Sequence, residues 1–339
     1  MLQAALLILL GFVALVLGAD GLVRGAASLA LRLGVSALVV GLTIVAAGTS
    51  APELAVSVYA AATGSPDIAL GNVIGSNIFN VGAILGLTAL IMPVACAAAV
   101  VRRETPVMIG ISLLVPFFAW IGHVHAGAYV VERWHGAILL LIALLYTSVL
   151  YVIAKREPQV IHEALEGSIP TGESLEAARK RPVLLDLAYI LGGVILLVVG
   201  SRFLVSGATT IAKALGVSDV IIGLTIVACG TSLPELATSL IAAIKKQPDL
   251  SVGNIIGSNI FNVLLILGAA SAVTPVHVDR EILFRDVPVM LAFAIALLPL
   301  MRTGFRISRA EGAFLLLSFL AYLAWIITDT LAAATPPTP

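Results

Sequence analysis

The sequence predicts an all-α polytopic membrane protein, with ten transmembrane helices arranged as two inverted-topology five-helix repeats. Three observations predict it. First, 60% of the 339 residues are hydrophobic and only 11% are charged, against about 25% charged in a soluble domain. Second, the apolar residues gather into ten runs close to the ~20 residues that cross a bilayer. Third, aligning residue n with residue n+182 matches the two halves without a gap. Between Gly41–Leu90 and Gly223–Ala272, 31 of 50 positions are identical. These include polar positions that chance similarity between apolar helices would not match, such as Ser76-Asn77-Ile78-Phe79-Asn80 with Ser258-Asn259-Ile260-Phe261-Asn262.

The ten runs lie near 3–30, 36–62, 67–91, 104–121, 134–154, 183–212, 218–244, 249–273, 284–301 and 309–331. The first has no basic residue before Arg24, so it reads as a spanning helix rather than a signal peptide. The second and seventh each carry a proline, Pro52 and Pro234, that interrupts the apolar run. Asp67 and Asp249 stand at the starts of the third and eighth and are expected as N-caps. The organisation is therefore a first repeat over 1–154, a hydrophilic linker over 155–181, a second repeat over 182–332 and a disordered Pro-rich tail over 333–339. Each repeat holds an odd number of spans, so the second enters the membrane from the opposite side. In inverted repeats of this kind the substrate site lies near the midplane, at the repeat interface, on interrupted helices.

Basic residues orient the chain. Connections after odd-numbered spans carry Arg32, Arg102, Arg103, Lys155, Arg156, Arg179, Lys180, Arg181, Lys245, Lys246, Arg302, Arg306 and Arg309, against four on the other face. The positive-inside rule makes that face cytoplasmic. The expectation is a multi-pass protein of the cell (inner) membrane, with both termini outside, the linker cytoplasmic and membrane lipid as its surroundings.

The chemistry concentrates in one phrase written twice: GLTIVAAGTSAPELAVS from Gly41 to Ser57, and GLTIVACGTSLPELATS from Gly223 to Ser239. Of nineteen acidic residues, only Glu53 and Glu235 fall deep inside expected spans. A carboxylate at the bilayer centre costs at least ~2.5 kcal/mol, so it must be protonated, paired or bound to a cation. Neither phrase supplies a Lys, Arg or His to pair with it. Pro52 and Pro234 free carbonyls around Ala46, Ala47 and Gly48, and around Ala228, Cys229 and Gly230, and such carbonyls are tolerated at membrane depth only beside a cavity or an ion. Thr49, Ser50 and Glu53 crowd one face at i, i+3 and i+4 spacing. Ser76 and Asn80, again i and i+4, add oxygens from the next helix and are matched by Ser258 and Asn262. Asn77 and Asn259 face the other way, to cap or pack. An all-oxygen set suits a hard cation such as Ca2+ or Na+ rather than Zn2+ or Cu+. Gly71, Gly75, Gly253 and Gly257 form small-xxx-small pairs expected to let backbones approach closely.

Several functions are excluded or disfavoured. Zero formal net charge gives no bulk basic character to draw nucleic acid. Cys96 and Cys229 suit packing, being too few for a disulfide framework or a zinc site. The five histidines lie in or near loops with no partner motif, so neither an enzyme nor a cofactor is expected.

The motifs GLTIVAAGTSAPEL with GNVIGSNIFN, and GLTIVACGTSLPEL with GNIIGSNIFN, resemble the α-repeats of the cation/Ca2+ exchanger superfamily, in particular its prokaryotic sodium/calcium exchanger-like members. The resemblance implies that spans two, three, seven and eight form the ion-binding core and that spans one and six are long, tilted and mobile. It also implies ion ligands at the carbonyls of Ala46 and Ala228 and the side chains of Thr49, Ser50, Glu53, Ser76, Asn80, Thr231, Ser232, Glu235, Ser258 and Asn262. Many relatives carry aspartate where this chain has Asn262, so two strong anionic ligands stand here rather than three. The expected function is antiport of Na+ against Ca2+ by alternating access. A Ca2+/H+ antiporter and, further off, a cation channel are the alternatives.

Overall fold

In a computed structural model, the described residues are 1–126, 129–156, 182–217 and 219–334. The described residues are mostly helical, with four two-residue strands among them. Eight described helices are long and apolar enough to cross a membrane. They are α1 (Leu2–Leu33), α4 (Asp67–Ile91), α5 (Val100–His123), α6 (Arg133–Arg156), α7 (Val183–Ala214), α9 (Pro248–Val273), α10 (Ile282–Arg302) and α11 (Arg309–Ala334). A bent pair, α2 (Ala37–Thr49) and α3 (Ala51–Ala62), makes a ninth if counted as one span. The expected count of ten is not reached in this way. The stretch from Asp219 to Ile244 is cut into short pieces, of which α8 (Leu233–Ile244) is the longest and is itself only 12 residues. The linker expected at 155–181 and the tail expected at 333–339 lie outside the described residues, apart from the two positions of each that end α6 and α11.

Local sequence sets these breaks. Gly34, at φ 65°, closes α1 in the left-handed conformation that a side chain would strain, and its repeat mate Gly216 has φ 80°. Pro52 and Pro234 sit in the first turn of α3 and α8, where a missing N–H costs nothing. The chain bends by 47° between α2 and α3. A turn of π-helix precedes each break, at Gly41–Val45 and Gly223–Val227, and others begin at Asn80 and Asn262. Such turns put extra backbone into a helix and gather at functional sites.

The N-cap expectation for Asp67 and Asp249 fails. The caps are Pro66 and Gln247, and both aspartates lie inside the first turn without a capping hydrogen bond. There they meet the positive end of the helix dipole instead.

Helices α4 and α9 form the centre and are mostly buried, whereas α6 and α11 are mostly exposed. The outer helices expose large apolar side chains, among them Leu141, Leu144 and Leu145 on α6, as lipid contact requires. Helices α1 and α7 lie against each other along their length. A Cβ added at Gly18 would come within 2.8 Å of Gly193 O, and one at Gly11 within 2.7 Å of Gly200 O. Gly192 stands apart from this seam, with nothing within 4 Å of such a Cβ.

Strand β1 (Val94–Ala95) pairs antiparallel with β4 (Arg306–Ile307), and β2 (Val130–Val131) with β3 (Val276–His277). Each ladder ties a connection of one half to a connection of the other. Arg32, at the end of α1, binds buried Asp186 near the start of α7 at 3.1 Å.

Candidate functional site

The two Gly-Thr-Ser-x-Pro-Glu turns meet at the centre of the fold. Glu53 and Glu235 are each 1% exposed. The proline places each glutamate in the first turn of its helix, beside the break. The two halves hold each other's carboxylates. Ser232 Oγ donates to Glu53 Oε1 at 3.0 Å, and Ser50 Oγ donates to Glu235 Oε1 at 2.9 Å. Ser76 Oγ lies 3.2 Å from Ser232 Oγ. Among the described residues, no Lys, Arg or His forms an ion pair with either glutamate.

Six polar atoms of the expected ligand set are buried with no hydrogen-bond partner: Glu53 Oε2, Glu235 Oε2, Asn80 Oδ1, Asn262 Oδ1, Ser258 Oγ and Thr231 Oγ1. Native interiors satisfy nearly all such atoms, so a cluster of unsatisfied oxygens around two carboxylates makes this the candidate site. Among the described residues no three or more His, Cys, Asp or Glu cluster as a metal site. The oxygens are therefore two carboxylates supplemented by neutral amides and hydroxyls.

The halves are not equivalent. Thr49 Oγ1 reaches Asn254 Oδ1 at 3.1 Å and Ala46 O at 3.3 Å, whereas its mate Thr231 has no partner. Ala46 is fully buried, and its carbonyl also accepts from Ser50 N at 3.0 Å. Its mate Ala228 is exposed and lines a cavity. Of the four glycines expected to pack closely, only two do. A Cβ at Gly253 would lie 2.9 Å from Leu38 O, and one at Gly257 2.7 Å from Leu42 O. At Gly71 and Gly75 such a Cβ meets nothing within 4 Å. The physical reason is that the π-turn at Gly41–Val45 lies on α9, while its counterpart at Gly223–Val227 stands away from α4.

The gap left by that separation is a cavity of about 470 Å³ that reaches Ser76 and Thr231. Arg285, Asp286 and Tyr322 also line it. Arg285 Nε donates to Asp286 Oδ1 at 2.9 Å, and Tyr322 OH donates to the same oxygen at 2.9 Å. The first half repeats this arrangement, with Arg103 Nε donating to Glu104 Oε1 at 2.5 Å and Tyr146 OH to Glu104 Oε2 at 3.0 Å. Burial of carboxylates is thus not confined to Glu53 and Glu235. Glu104, Asp186 and Asp286 are buried too. They lie near helix ends and are paired with arginine, which is why the pattern of spans did not single them out.

Sequence reasoning assigned no role to two further asparagines. Asn72 Nδ2 donates to Glu53 O at 3.4 Å and Ser57 Oγ at 3.0 Å. Asn254 Nδ2 donates to Glu235 O at 3.4 Å and Ser239 Oγ at 3.0 Å. They brace the backbone of the glutamates, and their exact repetition at +182 was the available signal. Ser201 Oγ on α7 donates to Gly230 O at the second break. Its repeat position is Ala19, so repetition could not reveal it.

Inward-facing carboxylates on broken helices, inside a shell of lipid-facing ones, define a multi-pass membrane protein of the ion-transporting class. The family model described as sodium/calcium exchanger protein matches residues 3–152 and 185–328, and the chain belongs to that family, within the cation/Ca2+ exchanger superfamily. It is 41% identical over 325 residues to the putative antiporter CaxA of Alkalimonas amylolytica, covering 95% of this chain and 98% of that protein. It is 34% identical to the sodium/calcium exchanger MaX1 of Methanosarcina acetivorans, covering 94% and 97%, and 35% identical to the inner membrane protein YrbG of Escherichia coli, covering 96% and 97%. The solved sodium/calcium exchanger from Methanococcus jannaschii superposes on it with a TM-score of 0.75 at 30% identity, covering 95% of this chain and 98% of the other. Family and fold together support cation/Ca2+ exchange.

Proposed function

We propose that this chain is a secondary active transporter that exchanges Na+ for Ca2+ across the cell membrane, by alternating access at a midplane site formed by Glu53 and Glu235. The observation that carries the reading is the set of buried, unpartnered oxygens around two carboxylates that have no basic partner among the described residues. Uncompensated buried charge is strongly unfavourable. Two carboxylates match the charge of one Ca2+, and all-oxygen coordination suits it. Several Na+ occupying the same oxygens would exclude Ca2+, and mutual exclusion gives antiport. An empty site leaves two charges bare in a dry interior, which discourages crossing unloaded.

The ten-span, inverted-repeat arrangement is part of the proposal. Strands β1 and β4 join the connections after the expected third and ninth spans, β2 and β3 those after the fourth and eighth. Each pairing links connections that ten crossings would put on one face. With the basic face cytoplasmic, both termini and the mouth of the cavity lie outside. Alternating access draws support from the inequality of the halves. One π-turn is docked on its partner helix and the other is not, so exchanging the two roles would close the cavity and open its mirror image on the other face.

The test is uptake of 45-calcium into vesicles loaded with Na+. Wild-type protein takes up Ca2+ down the Na+ gradient, and Glu53→Gln does not. Uptake driven by a pH gradient without Na+ would move the assignment to Ca2+/H+ antiport. Undiminished uptake by Glu53→Gln would remove the site.

A further inference from the structure

Asn77 and Asn259, set apart in the sequence as residues that cap or pack, do more than fill space. Asn80 Nδ2 donates to Asn259 Oδ1 at 2.9 Å, and Asn262 Nδ2 donates to Asn77 Oδ1 at 2.9 Å. Behind each stands a methionine. Asn259 Nδ2 points at Met108 Sδ at 3.5 Å, and Asn77 Nδ2 at Met290 Sδ at 3.7 Å, with Asn259 O a second acceptor at 3.3 Å. All six side chains are at most 2% exposed. The two chains of contacts are repeat images: Met108 and Met290, Asn77 and Asn259, Asn80 and Asn262 are each 182 apart.

The direction of each chain follows from donor chemistry. A thioether has no proton, so it can only accept, and the amide facing it must present its NH2. The carbonyl end of that amide then faces Asn80 or Asn262 and accepts their NH2. This leaves Oδ1 of Asn80 and of Asn262 on the opposite side, buried and unpartnered. An amide shown to a cation NH2-first repels it, whereas one shown oxygen-first is a ligand. We propose that Asn77 and Asn259, backed by Met290 and Met108, are positioning residues that fix the amides of Asn262 and Asn80 oxygen-first toward the transported cation. The inference rests on the site proposed above. It assigns the two neutral amide ligands a polarity imposed from behind, each by the other half of the molecule.

The experiment measures Ca2+ binding by calorimetry on the full-length detergent-solubilised protein, alongside the KM and maximal rate of Ca2+ uptake. Asn259→Leu keeps the volume and removes the acceptor that holds Asn80. It is expected to raise the Ca2+ Kd and KM by about ten-fold or more, the scale of a hydrogen bond to a ligating group, with a smaller change in maximal rate. In an Asn80→Asp background both ends of the side chain are oxygen and no orientation is needed. Adding Asn259→Leu there is expected to change Kd by less than about two-fold. Equal effects in both backgrounds would mean a packing role and overturn the proposal, as would an unchanged Kd in the Asn80 background. Asn77→Leu and the milder Met108→Leu repeat the test should Asn259→Leu not fold, and an unchanged Kd in both would count equally against it. Wild-type protein that binds no Ca2+ would instead remove the functional reading, and this inference with it.

Discussion

Replacing Gly257 by alanine should drive the transporter out of the conformation described here, and replacing Gly75, its repeat mate, should hold it there. At Gly257 a Cβ would lie 2.7 Å from Leu42 O, and 2.8 Å from both Ala46 Cβ and Leu42 Cα. Two of these are backbone atoms that cannot rotate aside, so the docked π-turn must move. Overpacking of this kind costs about 1–3 kcal/mol, a change of roughly 5- to 150-fold in the balance of two conformations. At Gly75 the added methyl meets nothing within 4 Å. Its cost arises only when the turn at Gly223–Val227 docks on α4, so the shift has the opposite sign. The chain carries its own reporter. Cys229 lines the cavity, and the other cysteine, Cys96, is buried and can be replaced by serine. Labelling of Cys229 by a membrane-impermeant thiol reagent in sealed vesicles should slow in Gly257→Ala and be maintained or quickened in Gly75→Ala. Labelling that moves in the same direction in both variants, or in neither, would refute exchange of roles between the repeats.

Other outcomes follow from the same geometry. Glu53→Gln and Glu235→Gln should each weaken Ca2+ binding by about 150- to 5,000-fold, since uncovering one partner of a buried charge pair costs about 3–5 kcal/mol. Calorimetry showing a loss in only one variant would count against a shared site. Arg32→Met leaves Asp186, 0% exposed, without its cation, and should lower stability by about 3–5 kcal/mol in thermal melts. Combining it with Asp186→Leu should recover most of that loss. Asn254→Leu should destabilise this conformation more than Asn72→Leu, because Asn254 alone also accepts from Thr49. The difference should be about 1 kcal/mol, one hydrogen bond, and equal melting of the two variants would contradict the asymmetry of the halves.

Much of this was legible in the chain itself. Composition and run length specify a membrane protein because apolar surface of that extent has nowhere else to go. The repeat at +182 identifies two copies of one unit, and the isolated glutamates beside prolines point to the candidate site that the fold assembles at its centre. Positions such as Ser50 and Asn80 could be paired with their mates by counting alone. Other features depend on which surfaces meet. The arginine partners of Glu104 and Asp286 precede them in the sequence, but burial of those carboxylates follows from packing against Tyr146 and Tyr322, far along the chain.

The difference is clearest at the four glycines. Gly71 and Gly75 stand in nearly the same local sequence as Gly253 and Gly257, and the chain alone therefore predicts the same roles. The fold lets one pair dock and leaves the other facing a cavity, because the π-turn at Gly41–Val45 lies on α9 while the one at Gly223–Val227 stands away from α4. What the sequence by itself determined was the membrane class, the duplication and the residue types gathered at the candidate site. Tertiary structure alone decided which π-turn is docked, which oxygens are left bare, and that Asn77 and Asn259 each hold the amide of an asparagine in the opposite half. Those are contacts between segments about 180 residues apart, and no local spacing encodes them.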